Sequence, residues 1–236
     1  DMTDPSISRI WSQAHPLDDI NRDQNLSKVF RSFNNLWASY EIIKGLTLKE
    51  NVSYDYVNNH SVTYWPVDSN NGFSMGGVGA DYSLTFHNVY SSTTLNYVKT
   101  FGEKHNLDIL VGWDVDDRRK EYIIASSTGY PHNKLPESVN AASPMEGYSY
   151  YEEDHLLSFL SRINYDFDGK YYASFNFRRD GSSRLGVNNR WANFWSVSGA
   201  WRITHEKFMK NISFIDDLKL RASYGINGTL PNPLYG

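Results

Sequence analysis

The sequence predicts an all-β protein, an antiparallel up-and-down segment of a transmembrane β-barrel with about eight strands. Three observations predict this fold. Apolar and polar side chains alternate along many stretches, tight turns alternate with long polar loops, and several stretches reach the roughly 9–11 residues that a tilted strand needs to cross a bilayer. Strands of soluble proteins are typically about 5–6 residues long. The systematic difference between the two ends of the hairpins therefore favours a barrel over a soluble sandwich.

The composition excludes several classes of function. The chain of 236 residues has no cysteine, which rules out disulfides, thiolate zinc sites and cysteine nucleophiles. A net charge of -4 and the lack of a basic run argue against nucleic acid as a partner. Aromatic residues make up 15% of the chain, and tyrosine and tryptophan are typical of membrane interfaces and sugar-binding surfaces. No apolar run approaches the roughly 18–20 residues of a transmembrane helix.

The first predicted hairpin follows a loop at residues 1–27, which lacks the features of a secretory signal. Strands begin near Lys28, and Lys44 and Gly45 form a tight turn. Glu50 falls in the apolar phase of the second strand, so we expect a β-bulge or a contact with a neighbouring surface there. The apolar phase consists of Leu36, Ala38, Tyr40 and Ile42, followed by Leu46, Leu48, Val52, Tyr54 and Tyr56.

Two further hairpins repeat this pattern. Tight turns are predicted at residues 102–104 and at Asp168-Gly169, each between two alternating stretches. Long connections rich in Asn, Ser, Gly and Pro are predicted at 58–83 and at about 125–152. The apolar phases are Val89, Thr93, Leu95 and Tyr97, then Leu107, Ile109, Val111, Trp113 and Val115, then Leu157, Phe159, Ile163, Tyr165 and Phe167.

The stretch 171–201 shows two alternating strands separated by a loop rich in Arg, Gly and Asn. A connection at 204–217, with one helical turn through residues 205–210, leads to a last strand from Leu218 to Ile226. The apolar phase of the two strands is Tyr171, Ala173, Phe175 and Phe177, then Trp195, Val197, Gly199, Trp201 and Ile203. The opposite phase is small, polar or basic. One hairpin of this kind also fits a soluble sheet, and only the repetition favours a barrel.

Four segments identify a resemblance: EIIKGL at 41–46, KTFGEKHNLDILVGW at 99–113, RRDGSSRLGVNNRWANFWSVSGAWRI at 178–203 and IDDLKLRASYGINGT at 215–229. In this order and spacing they resemble the barrel of SusC-like TonB-linked (TonB-dependent) outer-membrane proteins of Bacteroidetes. The resemblance extends from about residue 28 to residue 236, and the third and fourth segments are the most specific.

The resemblance implies a parent barrel of about 22 strands that encloses an N-terminal plug domain. It also implies a TonB-contacting segment before the plug and a SusD-like lipoprotein over the extracellular mouth. No plug is recognisable in the sequence, so we expect residues 28–236 to be an internal part of the barrel. The predicted function is outer-membrane uptake of oligosaccharides or peptides, in contact with outer-membrane lipid, without enzymatic activity and without a cofactor. The alternative is a soluble, secreted carbohydrate-binding β-domain.

The strongest polar cluster is Arg178, Arg179, Asp180, Arg184 and Arg190. A functional interpretation places these arginines at the barrel mouth, where the planar guanidinium binds sugar hydroxyls, carboxylates or the lipoprotein. A structural interpretation pairs them with Asp180 and loop carbonyls. We favour the structural one, because the motif looks common to the family while substrates differ.

The candidate ligand-binding residues are Arg178, Arg184, Trp65 and Tyr130. Loop aromatics stack on sugar rings, pack their own loop or meet the lipoprotein, and the sequence leaves these alternatives open. The other loop aromatics are Tyr148, Tyr150 and Tyr151.

Other motifs receive structural interpretations. Residues 164–169 approach a calcium loop, but Phe175 stands where the bidentate Glu belongs, which favours a simple Asp-Gly turn. Seven scattered histidines predict no metal site, and Gly76-Gly77-Val78-Gly79 predicts a mobile loop rather than a phosphate cradle. Glu152, Glu153 and Asp154 are interpreted as a solvated loop end, because adjacent strand residues point to opposite faces.

Overall fold

The computed structural model describes residues 22–209 and 214–229, and these residues form an all-β structure. Eight strands lie in one sheet, and each pairs with the next along the chain. The predicted up-and-down β topology is confirmed. The strands are β1 (Gln24–Ile43), β2 (Leu46–Trp65), β3 (Val78–Phe101), β4 (His105–Thr128), β5 (Ser143–Phe167), β6 (Tyr171–Ser182), β7 (Trp191–Arg202) and β8 (Lys219–Ile226).

Contacts divide the strands into two compact units. Among the described residues, the turn unit comprises 33–54, 88–118, 153–209 and 214–229, and it holds the three short turns. The loop unit comprises 22–32, 55–87 and 119–152, and it holds the two long connections that begin after β2 and β4. Each strand from β1 to β5 contributes residues to both units.

The short turns of the turn unit form where they are predicted, and backbone hydrogen bonds join each turn to the next hairpin. Gly45 has a φ of 84°, and its carbonyl accepts a hydrogen bond from Val98 N at 2.7 Å. A Cβ at Gly45 would lie 2.3 Å from the Val98 carbonyl oxygen, so glycine is required here. Asp168 N donates to the Lys104 carbonyl at 2.7 Å. These bonds connect successive hairpins at their closed ends.

The strands of the loop unit are longer than the sequence predicts. β2 continues to Trp65 and β3 begins at Val78, and β5 begins at Ser143. The extensions of β2 and β5 are rich in Asn, Ser, Tyr and acidic residues and lack a sustained alternation of apolar and polar side chains. The extension of β3 does alternate, but its apolar residues, such as Leu84 and Phe86, lie in the phase opposite to Val89, so the pattern changes phase within the strand. Their backbone pairing is set by the neighbouring strand instead. The two long connections are residues 66–77 and 129–142, rather than 58–83 and about 125–152.

The register of β6 and β7 confirms the predicted faces. Phe175 is opposite Val197, and Tyr171 is opposite Trp201. On the other side of the same strands, Asn176 is opposite Ser196. β8 continues this arrangement against β7. We call the side of the turn unit that carries Phe175 and Val197 the apolar face, and the opposite side the polar face.

The apolar side chains of the sheet are exposed instead of forming an internal core. Val111, Trp113 and Val115 on β4 are 45%, 48% and 41% exposed. Few apolar side chains among the described residues are buried, and they include Tyr64, Tyr130 and Met209. A wall with one exposed apolar face and one polar face is expected of a strand segment that borders lipid on one side. Within residues 22–209 and 214–229, no helix is long and apolar enough to cross a membrane.

Aromatic side chains line the short-turn end of the apolar face. The rings of Tyr171 and Trp201 stack with centroids 6.5 Å apart and an interplanar angle of 10°. Glu206 Oε1 accepts hydrogen bonds from Tyr171 Oη at 2.6 Å and from Trp201 Nε1 at 3.1 Å. The Tyr171 hydroxyl and the Trp201 N–H thereby lower the pKa of Glu206 below its ordinary value. Amphipathic rings with a hydrogen-bonded polar edge are typical of a membrane interface.

Two predicted loop features fall partly outside the described residues. The loop predicted at 1–27 is described only from Arg22 onwards, and β1 already begins at Gln24. Between β7 and β8, two short 3-10 helices at Ile203–His205 and Lys207–Met209 stand in place of the single predicted helical turn. Residues 210–213 lie outside the described part.

Candidate functional site

The polar face of the turn unit carries a cross-strand network centred on Arg178. Its Nε donates to Asp180 Oδ1 at 2.7 Å, and its Nη2 donates to Ser158 Oγ at 2.8 Å. Its Nη1 lies 3.2 Å from Asp114 Oδ2. Asp114 also accepts a hydrogen bond from Ser92 Oγ at 2.7 Å. The network therefore joins polar side chains of β3, β4, β5 and β6.

Burial strengthens this network. Asp114 is 7% exposed and Ser158 is fully buried, although both lie on the polar face. A carboxylate with so little exposure needs charged or hydrogen-bonding partners, and Arg178 supplies them through its planar fork of donors. Asp116, which follows Asp114 in the same phase of β4, is 8% exposed and pairs with Arg118. The buried carboxylates at this level are therefore matched by arginines within the sheet.

At least three grooves lie on the polar face of the turn unit, and two of them border β6. The first has a volume of about 550 Å³, and Asp108, Asn164, Tyr172, Ser198 and Arg221 are among the residues that line it. Asp108 Oδ2 is 3.8 Å from Arg162 and 3.4 Å from Asn164, whereas its buried Oδ1 makes no hydrogen bond.

The second groove has a volume of about 510 Å³, and it includes Arg178, Asp180 and Asn176. Small residues such as Ser198 and Ala200 also line the first groove. Both grooves offer donors and acceptors to whatever lies against the polar face.

The arginines predicted as one cluster do not lie together. Arg178 and Arg179 are adjacent on β6 and point to opposite faces, and Arg184 and Arg190 follow that strand. Arg178 faces the polar network, whereas the guanidinium of Arg179 lies 5.1 Å from the ring centroid of Trp191. Arg184 donates from Nη2 to Asp154 Oδ2 at 2.9 Å. The Arg190 carbonyl accepts a hydrogen bond from Ser182 N at 3.0 Å. The pairing of Arg178 with Asp180 agrees with the structural interpretation, and a ligand-binding role for Arg178 and Arg184 stays a prediction.

The candidate aromatic residues lie in the loop unit. Tyr130 is 5% exposed, and its ring packs edge-on against Tyr64 with centroids 5.1 Å apart. Its hydroxyl is 2.9 Å from Ser127 Oγ. Trp65 is the half-buried last residue of β2. The burial of Tyr130 favours packing of the loop over stacking with a ligand, and a ligand-binding role for Trp65 stays a prediction.

Asn133 ties the two long connections together. Its Oδ1 accepts a hydrogen bond from Val67 N at 2.8 Å, and its Nδ2 donates to Asp68 Oδ1 at 2.6 Å. Tyr130 N donates to the Gly76 carbonyl at 2.7 Å. The glycine-rich segment expected to be mobile is therefore bonded to the neighbouring connection, because Gly76 and Gly77 take φ angles of 65° and 88° that direct their backbone groups towards it.

Several motifs predicted in loops lie on strands. Tyr148, Tyr150 and Tyr151 are part of β5, as are Glu152, Glu153 and Asp154. The predicted solvated loop end at 152–154 is thus wrong, and Asp154 pairs with Arg184. The sequence of this stretch shows no apolar alternation, so its strand pairing could not be recognised.

The predicted Asp-Gly turn is present after β5. Gly169 N donates to Asp166 Oδ1 at 2.8 Å, which engages one of the oxygens that a calcium loop would use as a ligand. Among residues 22–209 and 214–229, no group of three or more His, Asp or Glu side chains is arranged to hold a metal ion.

Glu50 lies in the apolar phase of β2, as predicted, and contacts β3. Its Oε1 accepts a hydrogen bond from Ser91 Oγ at 2.7 Å, and its Oε2 accepts one from Thr93 Oγ1. Of the two predicted ways to accommodate this carboxylate, contact with a neighbouring surface is the one observed. Ser91 and Thr93 lie on the adjacent strand, 41 and 43 positions from Glu50, so the pattern of β2 alone does not reveal them.

Sequence reasoning also missed Asp114, Ser158 and Tyr64 as structural centres. The alternation of β4 in the sequence does show that Asp114 lies on the face opposite to the apolar Trp113 and Val115. The sequence does not identify Arg178 as the partner of Asp114, because the two residues are 64 positions apart and their pairing depends on the register of three strands.

Comparison with known proteins reveals clear similarity. No protein-family model matches the chain. TonB-dependent receptor P39 of Formosa agariphila is 31% identical over 224 residues, which is 94% of this chain and 22% of that protein. TonB-dependent receptor SusC of Bacteroides thetaiotaomicron is 30% identical over 160 residues, which is 67% of this chain and 15% of that protein.

Solved structures agree with the sequence relatives. A structure of the RagAB peptide importer in the closed-closed state matches with a TM-score of 0.80 and 31% identity, and the match covers 86% of this chain and 23% of that one. A second structure, of the RagAB peptide transporter, matches with a TM-score of 0.77 and 32% identity over the same shares. The chain spans about a fifth of the length of the first two curated relatives.

Proposed function

The chain belongs to the SusC-like TonB-dependent receptors, and from this membership we propose that it forms part of the barrel wall of an outer-membrane nutrient importer. Its strands would cross the outer membrane, with the apolar face towards lipid and the polar face towards the lumen. The short turns would lie at the periplasmic end and the long connections at the extracellular end.

The observation that carries this proposal is the separation of the two faces on the same strands. Trp113 and Val115 are exposed on one side of β4, while Asp114 and Asp116, which alternate with them, are buried and paired with arginines. In water, this arrangement would leave a large apolar surface uncovered. Lipid against the apolar face and a polar lumen against the polar face would suit both sets of side chains.

The transported nutrient is proposed to be an oligosaccharide or a peptide. SusC and RagAB are the relatives that support nutrient import, and RagAB is named as a peptide importer. The lumen wall described by the two grooves offers hydroxyl, amide, carboxylate and guanidinium groups, which suit either substrate. The relatives are receptors and importers, so we propose no enzymatic activity.

A SusD-like lipoprotein and TonB are the proposed partners. The lipoprotein would meet the extracellular end, where the connections 66–77 and 129–142 lie bonded to one another. TonB would act through a plug domain held inside the barrel. Matched charges such as Arg178 with Asp114 suit a wall that keeps its shape while a plug moves against it.

Cell fractionation and uptake test the proposal in the full-length receptor that contains this segment. We expect the receptor in the outer-membrane fraction, with gel migration that shifts on heating, and uptake of oligosaccharide or peptide that stops when TonB is deleted. A soluble, detergent-free receptor without heat-dependent migration would contradict the proposal and favour a carbohydrate-binding domain. Uptake that continues without TonB would also contradict it.

A further inference from the structure

Four tyrosines form a row across β3, β4 and β5 in the loop unit. Tyr122 stacks on Tyr150 with centroids 4.5 Å apart and an interplanar angle of 12°. Tyr148 continues the stack at 6.2 Å and 17°, and Tyr82 flanks Tyr122 at 6.4 Å and 51°. We call these four residues the tyrosine row.

The row lies in the same alternating phase as the polar face. On β4, Tyr122 shares the phase of Asp114, and on β5, Tyr148 and Tyr150 share the phase of Ser158. Tyr122 stands in the last third of β4, well beyond the roughly 9–11 residues that cross the hydrocarbon from the short-turn end. Aromatic rings of a lipid-interface belt belong to the opposite phase, so a membrane anchor does not account for this row.

Much of the row is accessible although its rings stack on one another. Tyr148 is 45% exposed and Tyr150 is 46% exposed. Ring stacking therefore organises these side chains without covering them. The row presents flat aromatic surface between two kinds of neighbour in the same phase, apolar Leu84 and Phe86 on β3 and acidic Glu146 and Glu152 on β5.

A carboxylate lies beside the rings. Glu152 follows Tyr150 in the same phase of β5, and its charge acts on the Tyr122 hydroxyl. Flat rings with hydroxyl groups at their edges and a neighbouring carboxylate suit a ligand with apolar faces and a hydroxyl-rich rim. A pyranose ring has this form: its axial C–H groups meet the negative face of an aromatic ring, and its hydroxyls donate to carboxylate and phenol oxygens.

We propose that the tyrosine row is a binding platform for the pyranose rings of a neutral oligosaccharide, with Glu152 accepting hydrogen bonds from the sugar hydroxyls. This inference rests on the proposed import function and names its substrate class. The carboxylate of Glu152 repels acidic sugars, so the platform selects neutral over acidic chains. The row spans three strands, which allows more than one sugar ring to bind at once.

Binding to the full-length receptor, purified in detergent, tests the platform. The probes are maltoheptaose, laminarihexaose, xylohexaose, an acidic oligogalacturonate and a mixture of short peptides, each titrated by calorimetry. The variant is Tyr148→Ser with Tyr150→Ser. The matched control is Tyr151→Ser, because Tyr151 is adjacent on β5 but in the opposite phase, where its ring lies under Arg119 at 4.8 Å. Heat-dependent gel migration checks that each variant is folded.

We expect the unsubstituted receptor to bind at least one neutral oligosaccharide and not the oligogalacturonate. The double variant should bind that sugar at least about tenfold more weakly, while Tyr151→Ser leaves the affinity unchanged. Equal sugar affinity in the double variant and the control overturns the platform and leaves the import function intact. Binding and uptake of peptides without any of the sugars also overturns it, again without affecting import. A receptor that takes up neither class contradicts the proposed function itself, and the platform with it.

Discussion

Arg178 on β6 reaches Asp114 on β4 across the intervening strand, with Nη1 3.2 Å from Oδ2. Ser158 of β5 lies between them and accepts a second hydrogen bond from the same guanidinium at 2.8 Å. A contact of this kind forms only when three consecutive strands are in the correct register, since a slip by one residue would move each side chain to the other face. The network therefore forms only in this strand register, and its hydrogen bonds stabilise that register.

Replacing Arg178 by Ala should destabilise the full-length receptor by about 1–3 kcal/mol, because Asp114 and Asp180 would lose a charged donor. Arg178→Lys should recover only part of this, since one ammonium cannot reproduce the planar fork. Urea unfolding in detergent measures both changes. The control is Arg179→Ala, whose side chain stacks on Trp191 in the opposite phase and should cost less. Equal losses for Arg178 and Arg179 would contradict this account.

Removing only the two hydroxyls that donate to Glu50 should lower stability more than removing these hydroxyls together with the Glu50 carboxylate. Ser91→Ala with Thr93→Val leaves the carboxylate without these donors on the apolar face, and should cost about 1–3 kcal/mol. Adding Glu50→Leu to these changes should restore stability to at least the original level, because the remaining surface is apolar.

Urea unfolding in lipid vesicles measures the series. Thr94→Val, on the opposite face of β3, is the matched control. It should cause neither the loss of stability expected of the double variant nor the recovery expected of the triple variant. If the triple variant is less stable than the double variant, the carboxylate contributes in some way other than through Ser91 and Thr93.

Loss of the Asn133 amide should open the two long connections at 66–77 and 129–142. Asn133→Ala removes the acceptor for Val67 N and one donor to Asp68, whose carboxylate keeps its ion pair with Arg22. Limited proteolysis of intact cells should then cleave within 66–77 several times faster. Asn140→Ala is the control, because its Nδ2 bonds only a carboxylate three residues away, that of Glu137. Equal cleavage rates in the two variants would show that Asn133 does not hold the connections.

The sequence predicted those parts of the fold whose signal is local. Tight turns such as 102–104 and the alternation of Phe175 with Asn176 depend on neighbouring residues, and both are present in the structure. The strand extensions of the loop unit exceed the prediction, because residues 58–65 and 143–152 show no sustained alternation and the apolar phase of residues 78–86 is opposite to that of Val89 and Leu95. A strand there is defined by pairing with its neighbour rather than by its own pattern.

The candidate site was predicted less completely than the fold, because its partners are far apart in sequence. Arg178 and Asp180 were found together, but Asp114 required the register of the whole wall. The sequence makes Tyr130 a ligand candidate, whereas its burial against Tyr64 depends on how two long connections fold onto each other. Tyr148 and Tyr150 were noted as aromatic, and only the structure aligns them with Tyr122.

Acid should weaken the short-turn end of the wall through Glu206. The hydrogen bond from Tyr171 and then that from Trp201 hold the pKa of Glu206 below its ordinary value of 4.5. A carboxyl whose pKa is lower in the folded state contributes stability that is fully present above pH 4.5 and is lost as the pH falls through the folded-state pKa. Unfolding of the full-length receptor should therefore become easier below that pH.

Tyr171→Phe removes the first of these donors, so the pKa of Glu206 should rise towards its ordinary value and the acid-dependent loss of stability should shrink. Glu206→Gln should remove this part of the pH dependence altogether. Urea midpoints measured between pH 6 and about pH 3 test both variants. Glu103→Gln, in the 102–104 turn, is the control for a change of one negative charge. If Tyr171→Phe and the unsubstituted receptor lose stability in parallel as the pH falls, the hydrogen bond to Glu206 does not set its titration.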